Sequence, residues 1–465
     1  MKPQPGPVPA PPDGWPLRLF SALFGAFLGL TLLKFGNPTI MESFVTPPAD
    51  VWEFFLASPW PIGWGYTLLA PVAALGLVSA RGKTGAPLWL ILLPLVWLVW
   101  QAMAASYSLE PQLSLHILMH FAACVVCFYL GLFSLGRAGS LASFWLGILC
   151  AFLLVLASGW EQHFGGLAAT RRYFYANIYP TLKSPLPPEY YKRLNSNRIF
   201  ATLFYPNTLA GVLLLLLPPL LGVVASARRL TIPARAFVAA VLAFGALACL
   251  CWSGSKGGWL LMLVLSIVAL LRLPLGKRFR VALVAAVLFL GLAGFFWQFA
   301  AFLKRGAPSA SARLDYWQAA VRITMAHPLL GSGPGTFGRA YLAIRRPESE
   351  PTKVTHNDYL EQASDSGLPG FIAYGAFILG ALLRGAPRAA RGSSPVSGRE
   401  RLEFAVWLGL LGWSLQGFFE FGLYVPALAW PALSLMGWLL RKPWTNPGGL
   451  DKMRPQNANP VSKRA

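Results

Sequence analysis

Apolar runs separated by short polar turns repeat along the whole chain. The runs are often about 17–22 residues long, the length of α-helix that crosses about 30 Å of hydrocarbon. They are continuous rather than alternating, which argues against the strands of a membrane barrel. Taken in order, the pattern predicts helices near 17–33, 64–80, 87–104, 113–135, 141–159, 204–225, 236–252, 258–271, 281–300, 371–383, 404–421 and 425–440. Two stretches interrupt the rhythm, 160–198 and 301–370. Inside the second, Trp317, Ala320, Ile323 and Thr324 recur at helical spacing and predict a short amphipathic helix lying on the membrane or the bundle. His327-Pro328 should end it. The expected fold is an all-α polytopic integral membrane protein of about 12 transmembrane helices, with a large polar loop between the ninth and tenth.

Composition agrees with this reading. The 465 residues are 55% hydrophobic and 12% charged, against about 25% charged for a soluble domain. The net charge of +22 would point to nucleic acid in a soluble chain. Here its distribution explains it. With both ends of the chain inside and the helices alternating, the inside segments hold more than half of the 39 Lys and Arg but only about a quarter of the 17 Asp and Glu. The positive-inside rule therefore favours an N-in, C-in arrangement with both long loops outside, and no nucleic-acid partner is required. The five cysteines all lie in apolar runs, so no disulfide framework is implied. The segments 1–16 and 442–465 read as disordered cytoplasmic tails.

Candidate chemistry collects at the outside face. Arg198 lies at a water–lipid boundary just before Pro206-Asn207, where Pro suits a first helical turn. Its planar fork fits phosphate oxygens, although an interfacial arginine also snorkels to headgroups. The turn Ser253-Gly254-Ser255-Lys256-Gly257-Gly258 can present amides and Lys256 to an anion, or simply join two helices tightly. It lacks the spacing of a phosphate-binding P-loop. Arg313 and Trp317 sit on the amphipathic helix, and the Gly331–Gly335 stretch after it reads as a flexible turn. His356-Asn357-Asp358 then precedes Glu361, which lies near His356 if a helix starts at Asn357 or Asp358. A histidine can take a proton from a hydroxyl at neutral pH. His116, His120, Cys124 and Cys127 share one face of the fourth helix, but the set spans about 16 Å and cannot hold one metal. A polar packing stripe is the expected reading.

These motifs, in this order and on this topology, resemble the O-antigen ligase and O-antigen polymerase superfamily. The likeness is most specific over 249–379: the Ser255-Lys256-Gly257 turn, Arg313 to Trp317, Pro328-x-x-Gly331-x-Gly333-x-x-x-Phe337 and His356-Asn357-Asp358-x-Leu360. Arg198 with Pro206-Asn207 extends it backwards. The resemblance implies a ligase-like core at 249–379 holding the periplasmic loop 301–370. Membrane helices at 17–248, with periplasmic loop 160–198, and at 380–441 flank this core. It implies a multi-pass protein of the bacterial inner membrane whose site faces the periplasm. The donor would be an undecaprenyl-pyrophosphate-linked glycan and the acceptor a lipid A-core sugar or another glycan, with no metal, nucleotide sugar or other cofactor. Arg198, Lys256 and Arg313 would neutralise the leaving pyrophosphate. His356 would orient or deprotonate the acceptor hydroxyl, with Asn207, Trp317, Asn357 and Glu361 as further substrate-binding positions. Lys256 stands where family members usually carry Arg, and it lacks the bidentate fork. Ligase, polymerase and protein oligosaccharyltransferase all fit. A transporter of lipid-linked glycan is the rival from another class, and it would place charges at mid-membrane on several helices. Here Glu420 lies near a helix end and only the fourth-helix histidines lie deeper.

Overall fold

The computed structural model describes residues 14–57, 59–80, 84–181, 191, 195–227, 229–304, 308–387 and 397–441. The two tails, the RGK of the second turn and most of the basic loop after 387 lie outside the described residues. Regular structure among the described residues is entirely helical.

The main helices are α1 (Trp15–Lys34), α2 (Ile62–Ser79), α3 (Leu88–Ser106), α4 (Pro111–Tyr129), α5 (Ala142–Glu161), α6 (Leu167–Tyr173), α7 (Pro206–Ser226), α8 (Ile232–Ser253), α9 (Lys256–Arg272), α10 (Lys277–Lys304), α11 (Pro308–Ala326), α12 (Phe337–Ile344), α13 (Asp358–Gly385), α14 (Gly398–Gln416) and α15 (Pro426–Leu440). Their starts follow local rules. Proline occupies the first turn of α1, α4, α7, α8 and α15, where no amide is needed. Ser255 caps α9 and a Ser397/Glu400 capping box opens α14.

Nine helices among the described residues are long and apolar enough to cross a membrane, so this is a polytopic membrane protein. Of the twelve expected crossings, the other three correspond to α9, α14 and α15, of 17, 19 and 15 residues. All three pack among the spans. Hydrogen bonds between helix ends sort into two groups. At one end Trp60 donates to the Lys34 carbonyl, Leu109 to Ser332, Asp358 to Gly417 and Ala427 to Phe35. At the other Gly85 donates to the Arg441 carbonyl, Ser226 to Gly398 and Arg272 to Pro387, and Arg137 bonds Ser79.

One boundary differs from the sequence expectation. The stretch after 160 continues as helix: the run beginning at Ala142 extends to Ala176, bent at Gly165. The helix start expected near Asp358 and the apolar run expected from 371 form one helical segment, Asp358–Gly385, kinked at Gly367. The Asn357 side chain accepts from the Tyr359 and Leu360 amides and so caps it. Asp358, Glu361, Gln362, Asp365 and Ser366 are all at most 1% exposed. A polar stretch was expected to sit in water; this one instead pairs inside the protein. Asp365 accepts from the Gly335 amide at 2.6 Å, the Phe337 amide at 3.2 Å and the Tyr424 hydroxyl at 3.0 Å. Gln362 accepts from Trp97 and Gln101, each at 2.8 Å. The Gly331–Gly335 turn follows this surface because Gly331, Gly333 and Gly335 all take positive φ. It is a fitted lid on α13, held by the buried Asp365 carboxylate and the Ser364 and Asp365 carbonyls, rather than a flexible loop.

Candidate functional site

Glu420 lies in the connection between α14 and α15 and is the hub of the site. Its side chain is 9% exposed. One carboxylate oxygen, Oε1, accepts from Arg313 Nη2 at 2.5 Å and from Asn207 Nδ2 at 2.6 Å. The other, Oε2, lies 3.5 Å from His356 Nδ1, a contact too long for a well-formed hydrogen bond. Asn207 in turn accepts from Arg198 Nη2 through its side-chain oxygen at 2.8 Å. Five residues from four separate parts of the sequence therefore form one connected group: Arg198, Asn207, Arg313, His356 and Glu420.

Each arm has its own support. Arg198 also donates from Nε to the Ser253 carbonyl at 2.7 Å, against the turn between α8 and α9. Gly254 there has φ +60, and a Cβ on it would meet the Arg198 side chain at 3.2 Å. The glycine-rich turn thus serves Arg198 first. Asn207 stands in the first turn of α7, with its carbonyl bonded by Gln416 at 2.8 Å. Arg313 is carried by α11, whose inner face packs Tyr316, Ala320 and Ile323 against Phe337 and Tyr341. His356 has φ +53, a left-handed conformation that costs a non-glycine residue about 1–2 kcal/mol. Such outliers persist where the surroundings over-determine them. Here the buried Thr355 hydroxyl bonds the Asn357 carbonyl and the Glu361 carboxylate, fixing the backbone on both sides. The ring is flanked by Tyr316 and Phe421 at 6.1 and 5.1 Å between centroids, and its side chain keeps 27% exposure.

Asp358 holds the hub loop itself. Its amide donates to the Gly417 and Glu420 carbonyls, and its carboxylate accepts from the Leu423 amide at 3.0 and 3.2 Å. The electrostatics are those of an acid ringed by cations. Burial pushes the Glu420 carboxyl up, but Arg313, then His356 and Arg198, outweigh it and hold the group below the usual carboxylate range. Burial pulls the Arg198 guanidinium down; Glu420 draws it back up and Arg313 opposes.

The other sequence-derived candidates lie differently. Lys256 places its ammonium over the rings of Phe302 and Phe299, at 4.0 and 5.3 Å, on the outer helix α10. Trp317 packs at the edge of the α11 core. Asn357 is a helix cap. Glu361 is fully buried and bonds Thr355, and the carboxylate that faces His356 is that of Glu420. His120 bonds the Leu423 carbonyl at 2.8 Å and contacts Cys124, which makes it part of the packing under the hub loop. Glu420 was missed as a site residue, although the signal was present: it is the one acidic residue in 404–441, and an ionisable group in an apolar stretch is a functional candidate by default.

No curated protein matches the chain. The family model for O-Antigen ligase matches residues 238–375. That interval contains Lys256, Arg313, Trp317, His356, Asn357 and Glu361, while Arg198, Asn207 and Glu420 reach the site from outside it. Over residues 238–375, the chain carries a domain of the O-Antigen ligase family, whose members are membrane ligases and polymerases acting on lipid-linked glycans.

Proposed function

We propose that the protein transfers a glycan from undecaprenyl pyrophosphate to an acceptor sugar at the periplasmic face of the bacterial inner membrane, as a metal-independent glycosyltransferase. The observation that carries this reading is the convergence of Arg198, Asn207, Arg313 and His356 on Glu420. A carboxylate facing Nδ1 of an imidazole orients the ring, leaving Nε2 to take a proton. In the proposed step the acceptor hydroxyl gives its proton to His356 and its oxygen bonds to the anomeric carbon. The bond from that carbon to the pyrophosphate oxygen breaks, and the electron pair leaves with undecaprenyl pyrophosphate. Arg313 and Arg198 are the cations that meet the charge developing on the leaving group. Lys256 is a reserve cation, since its ammonium must leave the Phe302 face to reach a phosphate.

Charge supports this orientation. The helix ends opposite the site carry Arg137, Arg235, Arg272, Arg384, Arg399 and Arg441, with Glu400 and Glu403 as their acidic neighbours. With twelve alternating crossings, counting α9, α14 and α15, the positive-inside rule supports that end in the cytoplasm and the Glu420 group outside.

The test is a deletion strain complemented with wild type, His356→Ala or Arg198→Ala. Lipopolysaccharide is run on a gel and undecaprenyl-linked glycan is assayed in parallel. A ligase leaves core without O-chains while long lipid-linked chains accumulate. A polymerase leaves core with a single repeat. Normal patterns for the deletion and both variants reject lipopolysaccharide as the product.

A further inference from the structure

Beside α11, and apart from the Glu420 group, lies an open trough of about 800 Å³. Its floor is apolar, built from Leu109, Ile323, Ala326, Leu329, Ala343 and Ile344. Tyr107, Leu109, Leu329 and Ile344 are exposed although they belong to no transmembrane run. In water such a cluster would be an anomaly. Its position explains it. Tyr107 immediately follows α3, a candidate span ending at Ser106, so the trough opens at the level where hydrocarbon meets headgroups. Arg322 and Ile344 line both this trough and a smaller polar pocket next to it, where Arg345 and Arg346 join Arg322. Asp315 is the acid in that pocket, and it accepts from the Ser349 hydroxyl. Three guanidinium groups against one carboxylate leave the pocket cationic.

An apolar trough at the membrane boundary that runs into an arginine cluster matches an anionic amphiphile at both ends. We propose that this surface binds an anionic phospholipid of the surrounding leaflet, with an acyl chain along the trough and its phosphate on Arg322 and Arg346. The lipid would tie α11, and with it Arg313, to the membrane surface. The proposal is independent of the glycan-transfer reading.

The experiment uses the full chain purified in detergent, with retained lipid counted by native mass spectrometry. The probes are dioleoyl phosphatidylglycerol and dioleoyl phosphatidylcholine. A surface arginine contributes about 1 kcal/mol to anionic-lipid binding, or about fivefold. Wild type should retain phosphatidylglycerol over phosphatidylcholine by about 25-fold, and Arg322→Gln/Arg346→Gln should erase that preference. Ala343→Glu, which places a like charge in the trough, should also abolish retention. Arg339→Gln, on the same helix but outside the trough, should leave it unchanged. Equal retention of the two lipids by wild type overturns the proposal whatever the variants do. Displacement of phosphatidylglycerol by inorganic phosphate also overturns it, by showing a free-phosphate site.

Discussion

His356 Nδ1 stands 3.5 Å from Glu420 Oε2, while the other oxygen of the same carboxylate is occupied by Arg313 and Asn207. One buried acid therefore orients the candidate base and holds the candidate phosphate-binding cation. Removing its charge should disturb both. Glu420→Gln keeps the size and is expected to lower transfer by about 100-fold or more, the usual contribution of a positioned general base. Transfer by the purified variant, with its elution as a single monodisperse peak, checks this. Activity within a few-fold of wild type would remove Glu420 from the account.

Acid should act through the same group. The Glu420 carboxyl is held below its ordinary value in the folded protein. Its contribution to stability is therefore present above the unfolded value of about 4.3 and is lost as pH falls through the lower folded value. Thermal unfolding in detergent from pH 7 down to pH 3 should show wild type losing stability below about pH 4.3. Glu420→Gln should lack that component. Parallel curves for the two proteins would contradict it.

Asp365 is expected to matter for folding rather than chemistry. It accepts from Gly335, Phe337 and Tyr424 at a fully buried position. Asp365→Ala leaves those donors without their acceptor, at a cost of about 3 kcal/mol or more. Melting temperature and yield should fall sharply, and Asp365→Asn should recover part of the loss.

Lys256 should matter less than Arg198. Its ammonium rests on two aromatic faces, an interaction of about 0.5–2 kcal/mol. Lys256→Met should lower transfer by less than about tenfold, whereas Arg198→Ala should lower it by about 100-fold. Equal losses would place Lys256 at the leaving group beside Arg198.

Much of the fold was legible because lipid imposes a length on apolar runs, and each helix near 17–33, 87–104 or 204–225 stands where its run stands. The arginines were legible for the same reason: a charge at a membrane boundary is conspicuous. What stayed hidden was burial of polar residues. Asp358 to Ser366 has a soluble composition, and nothing local shows that Gly335, Phe337, Tyr424, Trp97 and Gln101 supply its partners from distant parts of the chain. The contact of His356 with Glu420 stayed hidden for the same reason. Glu361 is near in sequence, but Thr355 takes it; Glu420 is 64 residues away and arrives only through the bundle.

The most direct test of the central claim is a transfer assay with the purified chain, an undecaprenyl-pyrophosphate-linked glycan and an acceptor. It would compare wild type with His356→Ala, Arg313→Ala, Glu420→Gln and, as a control away from the hub, Glu110→Gln. Losses of about 100-fold or more are expected for the first three and an unchanged rate for the control. Three folded hub variants that transfer at the wild-type rate would contradict the claim.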